Sequence, residues 1–182
     1  MAYPYVFDVR NADRIAKAVE DAKNLMGGLD GIMLVVGISR GLPLHKITKD
    51  SWDDEFGVNV RSHMLFAQKA LQTMDPGAAI VIISSMAGQR TGTNPTYETS
   101  KAAQVALARA IARIGEPKGI RANVIAPVSR PWIKLVEILE LTSTRDMLIL
   151  QWVEMLLDIA KEGLTWFRLA DKRRGMLFLI PP

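Results

Sequence analysis

Two continuous apolar runs, each about the length of one strand, set the strongest limit on how this chain can fold. They read GIMLVVG (31–37) and AAIVIISS (78–85), and RANVIAP (121–127) follows as a last short strand. A strand without polar alternation is covered on both faces, the usual condition of a strand in a parallel sheet between layers of helix. The segments between the runs supply the helices. Ser51 opens SWDD, a capping-box-like start with Asp54 at the third position, and predicts a helix from Trp52 to about Met74, where DPG stops it. A second helix is predicted from about Thr96 to Ile114, ended by EPKG. Upstream, YVFDV (5–9) is a β-prone run. Asn11 then caps a helix whose apolar residues Ile15, Val19, Ala22 and Met26 recur at helical spacing, up to Gly27 and Gly28. Strands alternating with helices predict an α/β fold with a parallel sheet.

At 182 residues the chain is long enough for one domain with a substantial core. The composition, 49% apolar and 23% charged with a formal net charge of +4, is that of an ordinary globular protein and carries no nucleic-acid-binding signature. The absence of cysteine excludes a disulfide framework and a thiolate metal site. The first residues, MAYPYVFDVR, have no basic region and meet Asp8 early, so no signal peptide is expected. The expected location is cytoplasmic.

After Pro127 the pattern changes. Residues 132–163 read as two apolar helices with no strand between them, the second with a thin polar stripe of Gln151, Glu154 and Asp158. Burial against the rest of the chain is the expectation, with membrane-surface association through 145–160 as the weaker alternative. GMLFLIPP at the end reads as an edge strand. The expected organisation is therefore a partial α/β domain over 1–127 and a mainly helical tail over 128–182, packed on the same domain.

Chemistry concentrates in SSMAGQRTGTNPTYETSKAA (84–103). Residues four apart share a helix face, so Tyr97 and Lys101 project into the same space. A phenol is a poor base at neutral pH, and a neighbouring ammonium favours the phenolate. Ser85 ends a buried strand, and ligands bind at the carboxyl ends of strands in α/β sheets. Its hydroxyl is placed to hold a substrate oxygen beside the tyrosine, or to satisfy local backbone groups.

The combination IVIISSMAG, TYETSKAA and GIRANVIAP resembles the catalytic half of the short-chain dehydrogenase/reductase family. FDVRNAD, LDGIMLVVGIS and WDDEFGVNVRSHMLFAQKAL stand upstream in that family's order. The resemblance covers roughly residues 5–127 and implies a Rossmann-like sheet. It implies that Tyr97 is the general acid/base, and that Lys101 lowers the tyrosine's pKa and holds the nicotinamide ribose. Ser85 would orient substrate, and Asn59 would hold a water in a proton relay. Asp8 and Val9 would flank the adenine of NAD or NADP, while Gly37 and Pro127 would line the cofactor site. Taken by position alone, Asn59 also reads as a helix-bending polar residue and Asp8 as a turn former.

The departures are specific. No two of the 13 glycines stand two positions apart, so no Gly-x-Gly turn exists to lay a pyrophosphate on a helix N-terminus. The family's NNAG turn reads LVVG at Leu34–Gly37, and Val128 replaces the glycine after Pro127. The chain thus resembles a member lacking its first βαβ unit, in which YVFDV would pair directly with GIMLVV, sit at an edge, or find another chain.

The function implied is NAD(P)-dependent hydride transfer to or from an alcohol or carbonyl substrate, with weak cofactor affinity. The alternative is a non-catalytic interaction module. Homo-oligomerisation through helices 52–74 and 96–114 is expected in either case, using Met64, Leu65, Leu71, Val105, Leu107 and Ile111. His45 and His63 have no metal-ligand company and read as structural or exposed.

Overall fold

The computed structural model describes residues 5–90, 92–127 and 176–179. The chain divides into two units, Val6–Ser129 with Arg174–Pro182, and Met1–Tyr5 with Arg130–Arg173. All described residues except Tyr5 belong to the first. The helices expected between 132 and 163, and the 145–160 segment among them, lie outside the described residues.

Helix α1 spans Ala12–Met26, strand β1 Gly31–Leu34 and helix α2 Lys49–Phe56. A π-helical turn, Gly57–Arg61, joins α2 to α3, Ser62–Thr73. Strand β2 is Ala79–Ile83, α4 Pro95–Gly115, β3 Arg121–Ile125 and β4 Met176–Leu179. The sheet is four-stranded in the order β3-β2-β1-β4. Every pairing is parallel, with Gly31 opposite Ala79, Ala79 opposite Arg121, and Gly31 opposite Met176. Parallel pairing requires a crossover of at least one helix between neighbours. The connections through α2–α3 and through α4 provide it, giving the parallel α/β sheet expected from the alternation of strands and helices and the Rossmann-like architecture implied by the resemblance.

The core forms where β1 and β2 meet the inward faces of α1, α3 and α4, around Leu29, Ile32, Leu34, Phe66, Ile80, Ile82 and Ile111. Side chains of this size contribute about 1.5–3 kcal/mol each when fully buried. Leu65, Leu71 and Leu107 pack against this core and Ile111 is part of it, whereas Met64 remains 39% exposed. Most of the apolar residues considered for an oligomer interface therefore already have partners inside the chain.

The local signals hold in several places. Asn11 caps α1 through a bond from the Arg14 amide, and Gly27 ends the helix in the left-handed region at φ 71°. The start of α2 differs from the expectation: the cap is Thr48, three residues before Ser51. The Thr48 hydroxyl accepts from the Ser51 amide at 3.1 Å and the Ser51 hydroxyl from the Thr48 amide at 2.9 Å. Ser51 closes the capping box as its third-position partner, a role a hydroxyl fills as well as the usual carboxylate.

YVFDV is not a strand. Residues 5–8 have no regular structure. Asp8 turns the chain instead, its main-chain oxygen accepting from the Asn11 amide at 3.0 Å and its carboxylate from the Arg10 amide at 2.9 Å. The Phe7 ring leans on Phe66 at 6.3 Å. The edge of β1 that YVFDV would have covered is paired with β4, so the edge strand expected near the C-terminus is present. Among the described residues no helix is long and apolar enough to cross a membrane.

Candidate functional site

The carboxyl end of the sheet gathers the chemistry-bearing residues. The Ser84 amide donates to the Ile125 oxygen at 2.8 Å and the Met86 amide to the Pro127 oxygen at 3.1 Å, which extends the β2–β3 pairing past the strand ends. This places Ser85 next to Pro127. The chain then passes against α4 at Gly88, where a Cβ would stand 2.6 Å from the Ala102 amide nitrogen. Only glycine permits that approach, because the obstructing atoms are backbone.

Helix α4 begins with Pro95 at its first turn, where a missing N–H costs nothing. Its buried stripe is polar at the start, with Thr96, Ser100, Lys101 and Gln104, and then small or apolar, with Ala108, Ile111 and Gly115. The polar half lies against the end of β2. A helix buries four polar side chains in succession only where each finds a partner.

Lys101 is 4% exposed. Its ammonium donates to the Ile83 oxygen at 3.1 Å and to Gln104 Oε1 at 3.2 Å, and it stands 5.5 Å from the centre of the Tyr97 ring. Burial lowers its pKa to about 8. Tyr97 is half-buried, with the Ser85 side chain beside its hydroxyl. Burial, which disfavours the phenolate, raises its pKa above the ordinary value; the Ser85 bond pulls it down and the Glu55 carboxylate pushes it up. The net shift is upward, opposite to the one expected from a neighbouring ammonium. The Ser85 hydroxyl also accepts from the Ala87 amide at 3.1 Å, so it serves both the turn and the tyrosine.

Asn59 is fully buried in the π-helical turn. Its Oδ1 accepts from the Ile38 amide at 2.8 Å, and its Nδ2 donates to the Ile38 oxygen and the Ser100 hydroxyl, each at 2.9 Å. The wider turn sets this side chain against the loop after β1, the kind of local irregularity that gathers at functional sites. Gly37 lies in the same place, where a Cβ would be 3.3 Å from Lys101 Nζ and 3.4 Å from Asn59 Oδ1. Asn59, Ser85, Tyr97, Lys101, Gly37 and Pro127 are therefore neighbours around one strand end.

Asp8 and Val9 make their contacts elsewhere. The Asp8 carboxylate is held by the Arg10 guanidinium, which keeps its pKa below the usual carboxylate range, and Arg10 also reaches Asp54 at 2.6 Å. Arg40 pairs with the other oxygen of Asp54. Val9 packs against the core.

Three participants escaped the sequence reading. Gln104 joins Lys101 to the main-chain oxygen of Asn59, at 2.7 Å, and to His63 Nδ1, at 2.9 Å. His63 is completely buried, its Nε2 3.0 Å from the Val36 oxygen, and burial holds it neutral with a pKa lowered to about 3. Helical spacing carried the available signal: Gln104 is three residues after Lys101 and His63 four after Asn59. Glu55, four before Asn59, is 1% exposed and accepts from the Arg40 amide at 3.1 Å, and burial raises its pKa. His45, by contrast, is exposed.

Comparison with known proteins agrees with the fold. The family model described as enoyl-(acyl carrier protein) reductase matches residues 1–135. The oxidoreductase asL5 of Sarocladium schorii is 35% identical over 127 residues, covering 68% of this chain and 50% of its own. A dehydrogenase structure from Burkholderia cenocepacia with bound NADP superposes with a TM-score of 0.65 at 26% identity, covering 68% of this chain and 47% of that one. A short-chain dehydrogenase/reductase from Serratia marcescens gives 0.64 at 30% identity, over 66% and 56%. The chain spans about half the length of the relatives it matches. With the parallel sheet, the serine-ended β2 and the Tyr-x-x-x-Lys turn of α4 in place, the chain belongs to the short-chain dehydrogenase/reductase family.

Proposed function

We propose that the chain carries an oxidoreductase site that moves hydride between a nicotinamide cofactor and an alcohol or carbonyl carbon, with Tyr97 exchanging the proton. The observation that carries this reading is the convergence of Ser85, Tyr97 and Lys101 at the carboxyl end of β2. Ser85 holds the substrate oxygen beside the phenol. Tyr97 gives its proton to that oxygen as the carbonyl is reduced, or takes it as the alcohol is oxidised. Lys101 keeps a positive charge next to the ring and favours the phenolate when it forms.

The residues around Gly37 support the ribose and nicotinamide end of such a cofactor. Gly37 leaves a cradle that a Cβ would fill beside Lys101 Nζ, and two of the three ammonium donors point inward to fixed partners. Lys101, Tyr97, Gly37 and Pro127 would hold that end; with the Asp8 carboxylate engaged by Arg10 and Val9 packed on the core, neither is assigned to the adenine. When bound, the nicotinamide supplies or receives the hydride. The NADP seen in the Burkholderia relative supports a cofactor of this class, with NAD and NADP both open for this chain. No Gly-x-Gly turn is present to seat the diphosphate, so affinity weaker than micromolar is expected in nicotinamide fluorescence titration.

The reading is tested by incubating the chain with 4-deuterated NADH or NADPH, well above the expected Kd, and a panel of small aldehydes and ketones. Deuterium on the carbinol carbon of an alcohol product is the expected result. No transfer from either cofactor to any member of the panel would reject the reading.

A further inference from the structure

We propose that Gln104 is a positioning residue that orients the Lys101 ammonium, and that His63 in turn fixes the Gln104 amide. This deepens the oxidoreductase reading and rests on it for its effect on turnover, but the positioning itself is a property of the folded chain.

The hydrogen-bond directions follow from the donors and acceptors alone. The Val36 oxygen can only accept, so His63 carries its proton on Nε2 and donates at 3.0 Å. A neutral imidazole protonated there accepts at Nδ1. The atom facing Nδ1 at 2.9 Å must donate, which makes it the Gln104 amide nitrogen. That nitrogen's second hydrogen goes to the Asn59 oxygen at 2.7 Å. The Gln104 oxygen is then turned toward Lys101 Nζ, 3.2 Å away. Reversing the amide would set its hydrogens against the ammonium and its oxygen against a carbonyl and an imidazole lone pair. One buried tautomer therefore determines the orientation of the amide hydrogen-bonded to it, and that amide holds the ammonium.

The arrangement has a consequence for proton traffic. A relay needs groups that donate and accept interchangeably, as water and hydroxyls do. Every hydrogen between Val36 and Lys101 has a fixed direction, and an amide cannot reverse without an unfavourable tautomer. Gln104 bridges Asn59 and Lys101 directly, so this set of bonds is a brace for the ammonium and not a proton path. The ionisable groups that face Lys101 are Tyr97 on its own helix and His63 on α3, with Glu55 on α2 acting on the ring of Tyr97.

The test reads Lys101 directly, by following its ε-methylene NMR resonance against pH in the full chain. Gln104→Leu removes the acceptor and is expected to lower the Lys101 midpoint by about one to two pH units, since the charged form loses a buried hydrogen bond. Gln104→Glu keeps the shape, adds a negative charge and is expected to raise the midpoint by at least as much. Gln68→Leu, on the exposed face of α3, is expected to leave it unchanged. A midpoint unmoved in both Gln104 variants would overturn the proposal. In the unmodified chain, a long-range ¹H–¹⁵N spectrum is expected to show His63 protonated at Nε2; protonation at Nδ1 would overturn it without any substitution. These outcomes do not depend on turnover. Failure of the oxidoreductase reading appears as absent deuterium transfer with the Lys101 response intact, and failure of the positioning role as an unresponsive Lys101 whatever the activity.

Discussion

Ser84 and Lys101 clasp strand to helix from both sides. The Ser84 hydroxyl donates to the Lys101 main-chain oxygen at 2.7 Å, while the Lys101 ammonium returns a bond to the Ile83 oxygen at 3.1 Å. The end of β2 and the second turn of α4 are thus fixed to each other before any ligand arrives. The two consecutive serines divide the labour, Ser84 facing inward to the helix backbone and Ser85 toward the Tyr97 hydroxyl.

This division predicts opposite signatures for the two alanine substitutions. Ser84→Ala removes a buried hydrogen bond to the Lys101 oxygen, which the helix still pairs, and is expected to lower stability by about 0.5–1.5 kcal/mol in urea unfolding. Ser85→Ala is expected to change stability by well under that and to lower turnover instead. Equal stability losses in both variants would contradict the assignment.

At Gly88 the expected effect is steric. A methyl group there would meet the Ala102 nitrogen at 2.6 Å and the Lys101 carbonyl carbon at 2.7 Å. Backbone cannot move aside as a side chain can, so Gly88→Ala is expected to cost about 1–3 kcal/mol. The same change should shift the Tyr97 and Lys101 resonances. Wild-type stability in this variant would show that the loop does not press on α4.

The neutral His63 makes a distinct acid response. Its native pKa is lowered to about 3 from an ordinary 6.5. Between those values the unfolded chain binds a proton that the native chain refuses, so stability falls as pH drops through the window. One such group contributes a slope of up to about 1.4 kcal/mol per pH unit. His63→Phe is expected to lose that slope even if its stability at neutral pH is lower. An unchanged slope would mean that His63 takes up a proton in the folded state.

Lys101 acts in the opposite part of the pH range. Its native pKa is lowered to about 8 from 10.5, so the unfolded chain holds more protons between those values and stability rises with pH across them. Below about pH 8 the buried charge is a standing cost, roughly 3 kcal/mol as an upper figure from about 1.4 kcal/mol per unit. Lys101→Met is therefore expected to be more stable than the wild type near neutrality in urea unfolding, with a flat profile above pH 8, and inactive. A less stable variant would show that the ammonium's bonds to Ile83 and Gln104 outweigh its desolvation.

The parts of this fold that were legible in the sequence rest on local rules. The runs around Ile32 and Ile80 became parallel strands because unbroken apolar stretches are covered on both faces, the half-exposed strand at Val124 joined them at the edge, and Asn11 and Gly27 bounded α1 through their own backbone geometry. YVFDV misled because strand propensity does not say which edge is open: β1 pairs with Met176–Leu179, more than a hundred residues away in sequence, and Asp8 has stronger local uses for its carboxylate. Tyr97 and Lys101 were legible from their spacing on one helix. Gln104 and His63 were not, since a glutamine and a histidine on separate helices show their complementarity only once α3 and α4 are set side by side.

The central claim is that Tyr97 carries the proton while Ser85 and Lys101 prepare it. The most direct measurement is the steady-state rate of Tyr97→Phe beside the wild type, with the cofactor Kd measured in parallel. The substitution removes one oxygen and leaves the ring next to Lys101. The expected result is a kcat reduced by about 10²–10⁴-fold, the usual range for a lost acid/base group, with the Kd within about threefold of wild type. Turnover retained in Tyr97→Phe would contradict the account.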